Sequence, residues 1–394
     1  MTKHALHSSG YGGKIYTLEF DTSNSSLVVT SSTDAGKAPT WLTRHPSKPI
    51  LYTGDEFAEP KGQLMAFDVD TNSGALSLKS TKKCAPGPVS FAISQNEKFL
   101  FSANYGSGSI DSVRLEEDGT FRSSDRQDQH FDFVGAGPNT QRQEKPHPHQ
   151  ATLEPSGKWL FVPDLGADAI RVFNIFEDEI QQADQVHILP GSGPRHVIFS
   201  TPDQRRVSTT STTNGTSSSS SSSSSKRPTL CYLVNELTNT VTCFEVVPPP
   251  SKHDHLKLRS VGKPDISFLP SSHPALGQQG WTGAELSLTP DRQFLIISNR
   301  SPDEPTSDTD HLTIFKLQSN GHIVTTEAPM CKAVNGRGLR HFSLSPAIDG
   351  HDEGEFVAVA AQKTNEVIMF KRQGSELTEV ARVKDVAEPT CVVW

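Results

Sequence analysis

The stretch His149-Gln-Ala-Thr-Leu-Glu-Pro-Ser-Gly-Lys-Trp-Leu-Phe-Val-Pro-Asp-Leu-Gly-Ala-Asp-Ala-Ile-Arg-Val-Phe173 decides the fold. It reads as a short apolar strand, a Pro/Gly-type turn, a second apolar strand ending on a polar residue, a tight Gly/Asp turn and a third strand. One such unit cannot bury both of its faces, and the chain repeats it. Further copies begin near Trp41, Val89, His196, Ala284 and Arg340, in register on turns at His45-Pro46, Ser94-Gln95-Asn96, Thr201-Pro202-Asp203, Thr289-Pro290-Asp291 and Ser345-Pro346. Most copies lie roughly 45 to 60 residues apart, which suits a four-stranded propeller blade with loops added. No amphipathic helix separates the strands, so a parallel α/β sheet is set aside.

The two ends supply the remaining unit. Thr390-Cys-Val-Val-Trp394 looks like a first strand with nothing after it, whereas Lys14–Phe20 and Ser26–Ser31 look like third and fourth strands with no first. Joined, they make one blade and cover edges that an open toroid would leave free to aggregate. The expected fold is therefore all-β, a seven-bladed propeller spanning 1–394 as a single domain, with the closing blade built from both termini. The long spacing between the His196 and Ala284 copies holds a Ser/Thr-rich insertion at about 205–228 that includes the serine run Ser217 to Ser225. Such a composition does not offset its own ordering entropy, and a disordered surface loop between the first two strands of the fourth blade is expected. It reads as a tolerated insertion, with regulatory phosphorylation as the other reading.

A net charge of -8 speaks against a nucleic-acid or anionic-membrane partner, though not against a local basic pocket. Cys84, Cys231, Cys243, Cys331 and Cys391 follow no C-x-x-C spacing, so reduced strand cysteines are expected rather than zinc ligands or disulfides. The first residues hold no apolar run of signal-peptide length, and no later stretch is apolar enough for a membrane span; a cytoplasmic location is the resulting expectation.

The repeats act as an internal control. After the second strand they place Asn104, Asp164, Asn235, Asn299 and Gln362, short polar residues suited to bonding a turn backbone. The next position carries Tyr105, Leu165, Glu236, Arg300 and Lys363, a set with no shared packing logic. Glu236, Arg300 and Lys363 would point from successive blades toward a shared basin, unless they are unrelated surface charges. At the starts of the first strands, His149 and His196 lie six residues before the blade proline, with Arg195 before His196, while Arg340 takes that place in the sixth blade and His341 follows it. Innermost strands line the channel, where unpaired charge is costly to bury, so these residues suggest a pocket for a small anion held by Arg forks. His147-Pro-His149 resembles a metal pair, yet nothing in the repeats completes a ligand set, and neither metal nor cofactor is expected.

Lys145-Pro-His-Pro-His-Gln150, Gly193-Pro-Arg-His196, Val234-Asn-Glu-Leu237 and Ser298-Asn-Arg300, each at a blade landmark and in this order, resemble the seven-bladed lactonase family. That family includes cycloisomerase-type 6-phosphogluconolactonases and fungal carboxy-cis,cis-muconate cyclases, and the resemblance covers nearly the whole chain outside the serine insertion. It implies a metal-free catalytic set of His149, Arg195, Glu236 and Arg300, with His196, Arg340 and Lys363 as further substrate-binding candidates. The Pro-His-Gln and Gly-Pro-Arg-His wording is closer to the phosphogluconolactonase branch. Hydrolysis of a phosphorylated or acidic sugar lactone, as in the pentose phosphate route, is the first expectation. A muconate cycloisomerase is the alternative, and a non-catalytic scaffold of the WD-repeat kind comes last because Trp-Asp pairs are absent. Either reaction needs anchored anions and a proton carrier, with acid and base left open between His149 and Glu236.

Overall fold

The computed structural model describes residues 2–177, 179–200, 228–249, 256–270, 280–302 and 310–394. Within them the strands form seven sheets, each a run of antiparallel neighbours from an innermost to an outermost strand. The first-to-second-strand connection of the fourth blade leaves at Ser200 and returns at Thr229. The Ser/Thr-rich insertion itself lies outside the described residues.

Burial explains the sequence pattern of each strand. Second strands are packed on both faces by neighbouring blades, so they read as continuous apolar runs: Phe99–Asn104 and Phe356–Ala361 are buried at every position. Fourth strands form the rim and are largely exposed, as in Leu76–Cys84. The core is a ring of layers between blades. One layer joins Tyr232 and Val234 of the fourth blade to Leu286, Leu295 and Ile297 of the fifth.

The residue before or at the blade proline recurs because it closes the first hairpin. His45 Nδ1 accepts from the Ser47 and Lys48 amides, Ser94 Oγ from Phe99 N at 3.0 Å, Thr289 Oγ1 from Phe294 N at 3.1 Å and Ser345 Oγ from Phe356 N at 3.2 Å. The polar residues ending the second strands of the second to fifth blades behave likewise. Asn104 and Asn235 bond to Ser109 and Thr240 across the turn, while Asp164 accepts from the amides of His147 and Ala167. In the sixth blade that strand ends at Ala361, so Gln362 lies one residue beyond it and Lys363 is not the counterpart of Glu236 and Arg300.

The seventh blade joins both termini, in the order Pro389–Val393, Lys3–Gly10, Lys14–Asp21 and Ser26–Asp34. His7, Ser8 and Ser9 pair with Val393, Val392 and Cys391, and Thr390 Oγ1 donates to the Thr40 carbonyl of the first blade at 2.8 Å.

One irregularity decides what faces the channel. In the innermost strands the register slips by one residue, between Pro39 and Leu42, Pro88 and Ser90, Pro194 and His196, Gly283 and Leu286, and Leu339 and His341. In the third blade the Pro148↔Asp164 bridge marks the same place. A bulge leaves its residue unpaired and re-aims the side chain. Pairing on this register makes Thr40, Val89, His149, Arg195, Ala284 and Arg340 equivalent, and then Trp41, Ser90, Gln150, His196, Glu285 and His341. The expected equivalence of His149 with His196 is thus off by one. The fourth blade carries an extra residue before its proline, and Arg195 is the true counterpart of His149 and Arg340.

Candidate active site

Two bulges begin the same way. Gly193 and Gly338 lie at φ +65° and +73°, a region open to glycine without strain, two residues before Arg195 and Arg340. Aspartates at the starts of third strands hold these turns: Asp168 accepts from Gly193 N at 2.8 Å, and Asp310 accepts from the amides of Gly338 and Leu339. The chain is thereby bent so that both arginines are aimed inward.

Glu236 is the hub. Its side chain is 2 % exposed and lies 2.9 Å from Arg195 Nε, 3.1 Å from Arg300 Nη2 and 2.6 Å from Arg142 Nη2. Burial alone would raise this carboxyl, but the guanidiniums of Arg300, Arg142 and Arg195 hold it far below the usual range. Burial pulls Arg195 down to about 9, with Arg300 adding to the effect, which still leaves it protonated at neutral pH. Among the described residues, Arg142 alone hydrogen-bonds the Glu236 carboxylate; Arg195 and Arg300 touch it as charges. Nε of Arg195, Nε of Arg300 and Oε2 of Glu236 are buried without hydrogen-bond partners among the described residues. Arg195 Nη1 donates to the Ala284 carbonyl and Arg300 Nη2 to the Gly283 carbonyl, so the outer nitrogens are anchored, while Arg195 Nε meets Glu236 as a charge contact.

His149 is buried beside this cluster, where desolvation and then the charge of Arg195 push its imidazole well below the usual range. Its Nδ1 lies 3.2 Å from His196 Nε2. His196 Nδ1 in turn lies 3.0 and 3.1 Å from the two oxygens of Glu285. The Tyr105 ring meets His149 edge-on at 5.7 Å and stacks on His147 at 4.2 Å. The Arg340 guanidinium covers the Tyr11 ring at 5.4 Å and acts electrostatically on both His149 and Arg300.

The structure therefore brings His149, Arg195, Glu236, Arg300 and Arg340 together. Two of the other candidates are placed differently. His196 has both ring nitrogens occupied by protein groups, so it stands behind His149 rather than facing a ligand. Lys363 gives its ammonium to the Ser301 carbonyl at 2.8 Å, and it packs over Gly338, whose missing side chain leaves that room. Both ring nitrogens of His147 meet protein groups. Its Nδ1 lies 3.1 Å from the Tyr105 carbonyl and its Nε2 3.0 Å from Glu144.

Arg142 and Glu285 were not singled out from the sequence. Arg142 sits in an irregular Pro/His-rich segment that repeats in no other blade. Glu285 had a signal available, since it occupies the place of His196 and His341 once the bulge register is known.

The profile of the family described as "Lactonase, 7-bladed beta-propeller" matches residues 4–394. The chain belongs to this lactonase family. A protein of Arthroderma benhamiae named "Probable 6-phosphogluconolactonase" is 27% identical over 387 residues, covering 96% of this chain and 86% of its own. The 6-phosphogluconolactonase of Bacillus subtilis is 24% identical over 400 residues, covering 100% of this chain and 98% of its own. Among solved structures, a protein of Bacteroides fragilis superposes on the lactonase-family propeller with a TM-score of 0.77 at 25% identity, covering 100% of this chain and 98% of that one.

Proposed function

We propose that this chain hydrolyses a phosphorylated sugar lactone of the 6-phosphogluconolactone type. One observation carries the reading. The guanidiniums of Arg142, Arg195, Arg300 and Arg340 act on the carboxylate of Glu236. They outnumber the carboxyls that face them, Glu236, Glu56 beside Arg340 and Glu285 beside Arg195. Among the described residues the Nε–H groups of Arg195 and Arg300 have no hydrogen-bond acceptor. Uncompensated positive charge away from water is costly, and a dianion with several acceptor oxygens relieves it. The names of the relatives agree with such a substrate.

In this reading the phosphate and the lactone carbonyl oxygen share the Arg cluster. Water attacks the carbonyl carbon while His149 Nε2 takes its proton, and a guanidinium stabilises the oxyanion. The carbon–ring-oxygen bond then breaks, and the imidazolium returns the proton to the leaving alkoxide. Water is thus added across the ester bond, giving a hydroxy acid that ionises in solvent. Glu236, held as a carboxylate, orients the guanidiniums rather than carrying the proton.

The test compares purified protein on 6-phosphogluconolactone, unphosphorylated gluconolactone and 3-carboxymuconate. Each charge-assisted hydrogen bond contributes about 1.5–3 kcal/mol, so kcat/KM should favour the phosphorylated lactone by at least about 10²-fold over the plain one. Equal turnover of both lactones, or lactone formation from the muconate alone, would overturn the reading. Prolonged chelation is expected to leave the rate unchanged, because so cationic a cluster opposes a divalent ion. Loss of activity with recovery on adding calcium or zinc would count against the proposed roles.

Arg142→Ala offers a milder probe. Its side chain is 39% exposed and reaches Glu236 from a loop, so KM should rise about tenfold, equivalent to about 1.4 kcal/mol, with kcat little changed. Steady-state kinetics on the phosphorylated lactone would show this split.

A further inference from the structure

We infer that Glu285, acting through His196, sets the proton on His149 Nδ1 and so leaves His149 Nε2 as a free base toward the Arg cluster. This rests on the reading of His149 as the proton acceptor, but the hydrogen-bond chain behind it stands on geometry alone.

The chain can be read outward from the carboxylate. Glu285 is buried, and its Oε1 accepts from the Leu286 amide at 3.0 Å. Because a carboxylate only accepts, His196 must carry its hydrogen on Nδ1, which lies within 3.1 Å of both oxygens. Arg195 Nη1 also approaches His196 Nδ1, but at 3.4 Å it is farther away than either carboxylate oxygen, and one of its two hydrogens goes to the Ala284 carbonyl. His196 Nε2 is then an acceptor. The group facing it at 3.2 Å is His149 Nδ1, which must therefore be the donor. Nothing else is left for the lone pair of His149 but Nε2.

The other side of the carboxylate is fixed in the same sense. His341 Nδ1 accepts from the Val392 amide at 3.3 Å, which puts its hydrogen on Nε2, 3.6 Å from Glu285 Oε2. The edge of the Trp41 ring system meets His196 and His341 at near-right angles, 88° and 87°, so neither imidazole is free to turn. The charged and titratable groups facing His149 are Arg195, His196, Arg340, Arg300 and Tyr105, and those facing Glu285 are His196, His341, Arg195 and Cys391. Burial works to raise the Glu285 carboxyl, yet His196, His341 and Arg195 hold it at about 2, so it accepts at every working pH. Toward His149, Glu285 acts through His196, while its other edge borders a cavity of about 910 Å³ shared with Trp41, Gln150 and His341. Glu285 is a positioning residue, and its carboxylate also balances the imidazolium formed when His149 takes a proton.

Glu285→Gln separates this role from simple packing. The Leu286 amide takes the remaining oxygen at the Oε1 position, 3.1 Å from His196 Nδ1, so the closer contact at 3.0 Å becomes an NH2 facing the hydrogen on Nδ1. Relief comes when His196 moves its hydrogen to Nε2, and this transfers the hydrogen of His149 to Nε2 in turn. The expected result is a loss of kcat on 6-phosphogluconolactone on the order of 10²- to 10⁴-fold at every pH, with KM within about twofold of wild type. Long-range ¹⁵N–¹H correlation of histidine-labelled protein reads the same event without turnover. Wild type should show His149 and His196 as Nδ1–H tautomers, and the variant should show both as Nε2–H. A wild-type His149 with its hydrogen on Nε2 would overturn the inference, as would a variant with unchanged ring spectra and unchanged kcat. If wild type fails to hydrolyse the lactone, the functional reading falls while the ring spectra still decide this one.

Discussion

Deletion of Glu388 through Trp394 is expected to give insoluble or unfolded protein. The segment supplies the innermost strand of the closing blade, and its loss leaves the Lys3–Gly10 strand with one unpaired side. Cys391 and Val392 are fully buried, and Trp394 packs edge-on against Phe20. Burying such side chains contributes about 1.5–3 kcal/mol each, and the abandoned backbone groups of His7, Ser8 and Ser9 add the cost of unmet hydrogen bonds. A domain is stable by only about 5–15 kcal/mol in all, so this loss is comparable with the whole margin. Circular dichroism and thermal unfolding of the truncated chain would check it. A soluble, cooperatively melting, active truncation would show that the ring closes without that strand.

How far the sequence reveals this closure depends on which strands carry apolar side chains. Lys14–Asp21 and Pro389–Val393 do, and both were readable as strands without partners. Lys3–Gly10 was not readable, because Leu6 is the one large apolar side chain among its buried residues, which are otherwise His7, Ser8, Ser9 and Gly10. Two of these bond instead of packing apolar surface: His7 Nε2 to the Gly74 carbonyl at 2.7 Å and Ser8 Oγ to the Cys391 carbonyl at 2.9 Å. Periodicity detects apolar burial and passes over a strand that satisfies polar groups in the interior.

The same limit shaped the reading of the site. Arg195, Arg340, Glu236 and Arg300 stood out because charge at matched blade positions has no packing purpose. Their convergence depends on bulges, and a bulge adds one residue without changing composition. The register that makes Glu285 equivalent to His196 and His341 therefore exists only in the pairing of the strands. Arg142 reaches the cluster from a segment with no repeat equivalent, so no internal comparison could mark it.

Substitutions in the cluster should divide into two kinetic classes, with a stability signature that identifies Glu236. His149→Ala removes the base and should lower kcat on the order of 10²- to 10⁴-fold while leaving KM near wild type, since the substrate charge is held elsewhere. Arg195→Ala and Arg300→Ala should raise KM as well as lower kcat, each costing about 2–5 kcal/mol of transition-state binding, because they meet both the substrate anion and the oxyanion. Glu236→Gln acts through the arginines. It leaves Arg195 and Arg300 buried without a counter-charge, which costs about 3–5 kcal/mol of stability at neutral pH and lets both guanidiniums drift. The pH dependence follows from the sign of the shift. A carboxyl whose folded pKa is depressed stabilises the protein above its ordinary value of 4.5 and loses that contribution as pH falls below it. Wild type should therefore lose melting temperature between pH 5 and pH 3 more steeply than Glu236→Gln, and the two should draw together as acid is added. Glu285, held at about 2, remains in both proteins and adds the same acid-sensitive contribution to each. Parallel melting curves of equal slope, or an Arg195→Ala enzyme with unchanged KM, would mean that Glu236 and its guanidiniums are not the anion cradle of this site.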